Sequence, residues 1–378
     1  MTRQFLCAST ALTVLSAGSA FAGGLERAIT NFGPLYEDGS YLEISGALAF
    51  PELDGDGGTI PPGFPGAGTP VSGNTGDLLE SVALIGAAYK ADINDRLSFA
   101  LILNQPFGAD TLYPSASAAF PDATAVYGGS NADVVSYALN GILAYDVTPQ
   151  VKIYGGPIIQ AITPQASVAF LSSYNVESDT NYGVGYTLGA SYSIPDIAFR
   201  AALTYRSEIE HDLDTTESSV ALGTNSTQTT FETPDSLTLD LQSGIAEDTL
   251  LFGQVHWSDW SEFAISPPNY ITLTGGRPLV AYAEDWTTYT LGVGRRFDEN
   301  WSGAISVTYE PQTDTELTSL GPVDGRTAIN LGATYETDKM KISGGISYTW
   351  LGDAQNVLAT DFDDGTAVGI GFRIGWKL

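Results

Sequence analysis

The sequence alternates apolar and polar residues with a period of two over most of its length. In the stretch AFRAALTYRSEIEHDL (198–213), Leu203 and Tyr205 occupy odd positions, whereas Arg206 and Glu208 occupy even ones. This period is the signature of a β-strand with one apolar and one polar face. Fourteen such runs begin near residues 41, 81, 97, 135, 151, 182, 197, 228, 249, 286, 301, 326, 340 and 366.

The connections between these runs alternate in length. Short connections rich in Asp, Asn, Pro or Gly have the composition of hairpin turns. The long loops that alternate with them are expected at residues 51–80, 113–134, 171–181, 214–227, 264–285, 311–325 and 351–365. This alternation in an even-numbered antiparallel meander is typical of an outer-membrane barrel. A soluble β-sandwich or propeller, the alternative, has no reason to sort its loops in this way.

The first 22 residues have the composition of a secretory signal. Arg3 precedes an apolar run, and small residues then lead to Ala20 and Ala22, an A-x-A cleavage pattern. Cys7 is the single cysteine and lies inside this signal, so the mature chain has no thiol for a disulfide or a metal site. No later segment approaches the roughly 18 apolar residues of a transmembrane helix. We therefore predict a signal peptide (1–22), an N-terminal hatch segment (23–40) and a transmembrane β-barrel (41–378) in the bacterial outer membrane.

In a membrane barrel, the apolar face of each strand points to lipid and the polar face lines the lumen. A shift of one residue would turn Arg200 and Arg206 toward lipid, at about 2–4 kcal/mol each near the midplane, so the register is firmly set. The tryptophans lie near strand ends, as in the aromatic girdles at membrane interfaces: Trp257, Trp260, Trp286, Trp301, Trp350 and Trp376. The excess of 44 acidic over 15 basic residues argues against nucleic acid as a partner.

The predicted lumen faces carry mainly Gly, Ala, Ser and Thr, with apolar members such as Ile102 and Ile142. Small barrels are filled by their own side chains, whereas large ones enclose a water-filled channel. A barrel of fourteen strands is intermediate in width, so we expect something to narrow the bore. A weakly charged bore of this kind favours hydrophobic cargo over ions and sugars.

The segment before the first strand is a candidate plug. Leu25, Ile29, Phe32 and Leu35 give it an apolar character, and we expect these side chains to contact cargo inside the barrel. The alternative is a disordered tail. Its position next to the rim of short turns would let it fold back into the lumen.

The third strand contains a candidate lateral gate. Pro106 cannot donate a ladder hydrogen bond and Gly108 permits a sharp bend, so the chain from Asn104 to Gly108 is expected to kink and open the wall sideways. Phe107, within this kink, is expected to contact cargo. The alternative is a simple strand end at Asn104. Pro157, in the adjacent strand pair, marks a second candidate bend.

Arg206 and Glu208 are predicted to share the lumen face, where they would contact cargo or, alternatively, brace the bore as an ion network. His256 and Ser258 lie two residues apart on one strand face, as a barrel-embedded lipase would require, but a base beside a serine is not sufficient for catalysis. With two histidines and no G-x-x-x-x-G-K loop, we expect no catalytic residues, metal site or cofactor.

The chain resembles the FadL family of outer-membrane transporters for long-chain fatty acids and other hydrophobic compounds. The resemblance covers the mature chain and is clearest in LTYRSEIEHDL, TPDSLTLDLQSGIAEDTLLFGQVHWSDWSEF, YTLGVGRRFDENWSGAISVTYE and AINLGATYETDKMKISGGISYTW. It implies a monomeric fourteen-stranded barrel with a hatch and a kinked third strand that releases cargo laterally. Fatty-acid carriers of the family place a lysine before the tenth strand, where this chain has Glu284 and Asp285. Uncharged hydrocarbons or aromatic compounds therefore remain candidate cargo.

The predicted function is passive transport of fatty acids or hydrocarbons across the outer membrane. The predicted partners are hydrophobic small molecules and the surrounding lipid and lipopolysaccharide. The alternatives are a porin for small hydrophilic solutes and an adhesin or structural barrel. Large, steady ion conductance would indicate the porin, and uptake of hydrophobic compounds that is unchanged on deleting the gene would indicate the adhesin.

The mature polypeptide is expected to need detergent or lipid to stay monomeric, because no protein core covers the apolar faces of its strands. Sedimentation of the purified chain with and without detergent measures this. A compact monomer in detergent-free buffer would contradict the membrane barrel.

Overall fold

The computed structural model describes residues 24–60, 68, 70–115, 126–313 and 317–378. The predicted signal peptide, residues 1–22, lies outside these ranges. Fourteen antiparallel strands form one closed sheet, and four of them are divided in two, which gives 18 hydrogen-bonded segments. The predicted all-β, fourteen-stranded antiparallel barrel is therefore confirmed.

The strands are labelled β1 to β14 in chain order. Their bounds are Tyr41–Glu52, Val82–Asn94, Leu97–Asn104 with Gly108–Leu112, Asn131–Asp146, Val151–Val168, Tyr174–Ser178 with Asn181–Ile194, Phe199–Arg206 with Ile209–Ser219, Gly223–Thr233 with Ser236–Ala246, Thr249–Ser258, Trp286–Arg296, Trp301–Glu310, Arg326–Glu336, Met340–Leu351 and Thr366–Lys377. A short helix within the described residues, α1, spans Pro268–Thr274. Within the described ranges, no helix has the length and hydropathy needed to cross a membrane.

The sheet closes because β1 pairs with both β2 and β14. Tyr41 lies opposite Lys90 on one side and Lys377 on the other, and every other strand pairs with its neighbours in sequence. A closed ring leaves no unpaired strand edge. Along β1, Leu42 and Ile44 are exposed outside while Tyr41 and Glu43 are buried inside, the alternation that suits surrounding hydrocarbon.

The long loops meet above one rim and pack against each other. Gly55–Asp56 pairs with Asp361–Phe362, which pairs in turn with Ala354–Gln355, and Ala264–Ile265 pairs with Val280–Ala281. Two of the expected loops are wrong, because 171–181 and 214–227 are largely strand. Their Ser, Thr and Asn residues looked like loop composition, yet they form a regular ladder in which Thr215 lies opposite Thr227.

The face of β7 reverses where the strand is divided. Arg206 is buried, Ser207 is also buried, and Glu208 is exposed, so that Ile209 and the alternate residues after it turn inward. The prediction that Arg206 and Glu208 share the lumen face is therefore wrong. β8 reverses at the same level, next to Pro234.

The tryptophans divide between the two surfaces of the wall. Trp301 and Trp350 are exposed on the outside, as expected for an interfacial girdle. Trp260 and Trp286 are instead buried inside, which corrects the prediction for these two. Trp286 shares the inward face of β10 with Thr288, and Trp260 follows the end of β9 and lies over the lumen.

The second candidate bend, at Pro157, lies in an unbroken strand. The ladder between β4 and β5 passes from the Asn140 and Ile158 pair to the Leu143 and Gly155 pair and omits the two pairs between them. A Cβ on Gly156 would lie 1.9 Å from the carbonyl oxygen of Gly141 on β4. The two backbones approach too closely here for any side chain.

Replacing Gly156 with alanine is expected to force β4 and β5 apart and to destabilise the barrel by about 1–3 kcal/mol, as overpacking does. Urea unfolding followed by heat-dependent migration on gels measures this. Gly344→Ala is the matched control, because a Cβ there meets nothing within 4 Å. Equal stability of the two variants would contradict the close approach.

Candidate functional site in the lumen

The wall of the barrel is interrupted between β2 and β3. The ladder stops at the pair Ala87 and Leu103 and resumes with an isolated bridge between Leu79 and Thr111. Between them, the backbone N–H of Ile85 donates to the side-chain Oε1 of Gln105 at 2.7 Å instead of to a backbone carbonyl. The predicted kink thus coincides with a gap in the sheet.

The N-terminal segment (residues 24–40) covers this gap from inside. Glu26 forms a β-bridge with Phe107, and the N–H of Arg27 donates to the carbonyl of Pro106 at 2.7 Å. The N–H of Gly108 donates to the carbonyl of Leu25 at 2.8 Å. The two segments that the sequence analysis selected independently, plug and kink, are therefore in direct contact.

The apolar residues predicted to bind cargo fall into two separate clusters. Leu25 and Phe107 belong to a large cluster that fills the upper lumen beneath the long loops. Phe32 and Leu35 belong to a second cluster, which packs against the inward faces of β2 to β5. Ile29 lies between them and is half-buried.

A charged layer separates the two clusters. The Nε2 of His256 lies 3.1 Å from the Glu26 carboxylate, and Arg27 pairs with Asp110 at 3.0 Å. Burial raises the pKa of the Glu26 carboxyl, but the interaction with His256 and the charges of Arg206 and Arg326 outweigh burial and leave this pKa below its ordinary value. Arg206 thus faces the lumen and favours the charged form of Glu26, a residue that the sequence analysis did not select.

The lower bore contains more charge than expected, although the charges are paired. Lys341 contacts Glu37 at 2.7 Å, and the Arg373 guanidinium contacts Glu43 at 3.0 Å. The expectation of a weakly charged bore is wrong, because Lys341, Arg373 and Lys377 lie inside and each pairs with a carboxylate. Below the N-terminal segment, a cavity of 1780 Å³ opens at the rim of short turns and is lined by many charged residues.

The arrangement around His256 does not match that of a serine hydrolase. Ser258 Oγ lies 3.0 Å from Nε2, and the Glu26 carboxylate lies 3.1 Å from the same nitrogen, while Nδ1 contacts Thr238 at 2.8 Å. In a catalytic triad, serine and carboxylate take opposite ring nitrogens. Across the described part of the chain, no group of three or more His, Cys, Asp and Glu side chains could hold a metal ion.

Five aromatic side chains adjoin the kink and are called the aromatic cluster: Phe107, Trp260, Phe263, Tyr282 and Trp286. The ring centroids of Phe107 and Trp260 lie 5.9 Å apart, and those of Trp260 and Tyr282 lie 5.2 Å apart. Edge and tilted contacts of this kind are favourable for aromatic rings.

Asp285, which the sequence analysis singled out before the tenth strand, is exposed and accepts a hydrogen bond from the indole N–H of Trp257.

The sequence analysis missed Glu26 and Arg27 because they interrupt an apolar segment and looked like surface charges. It missed the aromatic cluster because tryptophans near strand ends usually lie in girdles. One signal in the sequence could have identified Glu26 and Arg27. They are two charged residues within an apolar segment that was expected to lie buried in the lumen.

Replacing Glu26 with alanine is expected to loosen the N-terminal segment, because it removes the buried contact between this carboxylate and His256. Breaking a buried contact of this kind costs about 3–5 kcal/mol. Limited proteolysis with identification of the new N-termini measures the loosening. Asp38→Asn, an exposed carboxylate in the same segment, should leave protection unchanged. Equal protection of Glu26→Ala and the unmodified protein would show that charge does not hold the segment.

Comparison with known proteins places this geometry in context. The fold is similar to a FadL homologue of Pseudomonas aeruginosa, with 15% identity, 96% of this chain and 98% of that chain covered, and a TM-score of 0.74. It is also similar to the Pseudomonas putida toluene transporter TodX (12% identity, 97% and 98% covered, TM-score 0.65) and the Ralstonia pickettii toluene transporter TbuX (12%, 90% and 90%, 0.59).

Among curated proteins, no sequence matches this chain. The family described as outer membrane protein transport protein (OMPP1/FadL/TodX) matches residues 57–370, which is most of the chain. The resemblance seen in the sequence and the predicted outer-membrane location are both confirmed. The chain belongs to the OMPP1/FadL/TodX family of outer membrane transport proteins.

Proposed function

We propose that this protein transports hydrophobic molecules passively across the outer membrane and releases them sideways through the gap between β2 and β3. The family and the toluene transporters of similar fold support hydrophobic cargo. The observation that supports a lateral exit is the interrupted ladder beside Pro106. The N-terminal segment covers the resulting gap from inside the barrel.

The order of layers along the lumen favours a sideways exit over a path straight through. Cargo in the upper apolar cluster touches Leu25 and Phe107, next to the gap. Further down it would have to cross the charged layer around Glu26 and the layer closed by Phe32 and Leu35 before it reached the charged cavity at the periplasmic rim. Each CH₂ group moved from an apolar site into water costs about 0.8 kcal/mol, whereas a gap into the membrane returns the cargo to hydrocarbon.

The remaining predicted residues take different roles in this proposal. Leu25 and Phe107 contact cargo, whereas Phe32 and Leu35 seal the lower lumen. Ile29 lies between the upper and the lower apolar cluster. The charge of Arg206 stabilises the ionised Glu26 carboxylate. Partition of the cargo into lipid supplies the direction of transport, and the histidine geometry favours transport over catalysis.

The protein is proposed to act as a monomer, because the closed ring leaves no strand edge that requires a partner. Its apolar belt contacts outer-membrane lipid, and the rim of long loops contacts lipopolysaccharide. A porin is less well supported, since Leu35 is fully buried across the bore together with the inward residues of four strands.

Replacing Pro106 with valine is expected to slow uptake of a radiolabelled alkane or aromatic hydrocarbon by cells several-fold. Valine restores an N–H at 106 and favours extended backbone, so the ladder between β2 and β3 can extend into the gap. Pro157→Val is the matched control, because that proline lies in the wall where the strand is unbroken. Normal uptake by a correctly folded Pro106→Val variant would contradict the lateral gap.

Planar-bilayer recording of the same proteins distinguishes the porin. The transport proposal expects small conductance in both the unmodified protein and the Pro106→Val variant. Large, steady conductance in either would favour a channel for hydrophilic solutes. Loss of uptake on deleting the gene excludes a purely adhesive role.

A further inference from the structure

The aromatic cluster contains three buried polar groups that lack a hydrogen-bond partner. These are the indole N–H of Trp260, the hydroxyl of Tyr282 and the indole N–H of Trp286. Their side chains are 0%, 5% and 4% exposed. A buried donor without an acceptor destabilises the fold, so three on one cluster of five rings require an explanation.

Neighbouring tyrosines in the upper lumen do not share this property. The hydroxyl of Tyr113 donates to the carbonyl of Ser319 at 2.6 Å, and that of Tyr174 donates to Glu217 at 2.7 Å. The donors of the aromatic cluster differ from these two tyrosines. They also lie together and adjoin Phe107 in the kink.

Gly24, in the N-terminal segment, lies directly against the same rings. A Cβ on Gly24 would lie 2.4 Å from the Trp286 ring and 3.1 Å from Cε2 of Trp260, the ring carbon bonded to its indole nitrogen. Gly24 thus occupies the space beside the Trp260 donor, which has no acceptor among the described residues. A ligand that displaces Gly24 would reach both the rings and the donors.

The charges nearby disfavour an anionic ligand. Arg27, which lies close to Tyr282, already pairs with the half-buried Asp110. The carboxylate of Glu26 lies in the same segment. A carboxylate ligand would have to compete with these two acids in a site of low dielectric, whereas a neutral acceptor would not.

We propose that the aromatic cluster selects neutral, largely apolar molecules that carry a hydrogen-bond acceptor, such as a ketone, ester or ether oxygen, over hydrocarbons of the same shape. The rings supply apolar contact, and Trp260, Tyr282 and Trp286 supply the donors. This inference rests on the proposed function and narrows its cargo class. It assigns Tyr282 and the two tryptophans as specificity-determining residues.

Acetophenone and ethylbenzene form a matched pair of probes, since a carbonyl in one replaces a methylene in the other. Calorimetric titration of the detergent-solubilised full-length mature protein gives the ratio of their affinities. Tyr282→Phe and Trp286→Phe each remove a donor and keep an aromatic ring. Because micelle partitioning is the same for every variant, the change in this ratio reports the protein alone.

Each substitution is expected to lower the preference for acetophenone about fivefold, the effect of one hydrogen bond to a neutral group. The affinity for ethylbenzene should stay equal or rise, because a buried unpaired donor is removed. Tyr348→Phe and Trp350→Phe, which alter exposed rings on the outer face, should leave the ratio unchanged.

An affinity ratio that is the same in the unmodified protein and both donor variants would overturn the inference while leaving transport of hydrocarbons intact. Tighter binding of phenylacetate than of acetophenone would overturn it in favour of a carboxylate site. Failure of cells to take up either neutral probe would instead contradict the proposed function itself.

Discussion

This structure depends on one constraint: every backbone N–H and C=O group in the membrane must find a hydrogen-bond partner without water. A bilayer interior offers no partner to an N–H or C=O group, so a spanning chain must satisfy them all internally. The pairing of β1 with β14 does so for the ring as a whole. Beside Pro106 the ladder fails, and there the Gln105 side chain and the backbone of Arg27 take its place. The gap is therefore held by groups that belong to a side chain and to a separate segment, both easier to move than a strand.

The lumen is arranged as layers of different polarity. An apolar and aromatic layer lies beneath the loops, a charged layer follows around Glu26 and His256, and a second apolar layer around Leu35 separates these from the charged cavity at the periplasmic rim. A hydrophobic molecule is stable in the first layer and unstable in the second. The interruption in the wall lies beside the boundary between them, where such a molecule would stop.

The sequence predicted the strand count and the closed antiparallel barrel, because both depend on local alternation. It placed loops at 171–181 and 214–227, because the strands there have the polar composition of loops. It did not predict the reversal in β7, because Arg206 and Glu208 keep an unbroken alternation in sequence while the backbone changes face between them. It also could not place Glu26 against His256, since that contact joins residues 230 positions apart. Trp260 and Trp286 were misplaced because an aromatic residue at a strand end is compatible with either side of the wall.

The reversal in β7 also sets how deeply the protein is immersed. Below it the outer face presents Leu203 and Tyr205, and above it Glu208 and Glu210. Sinking by one residue pair, about 6–7 Å along the strand, would carry a carboxylate into hydrocarbon. Rising by the same amount would lift apolar surface into water. This sharp change from apolar to acidic surface fixes the depth of β7 in the membrane. The side of the barrel that contains β7 therefore has little freedom to tilt.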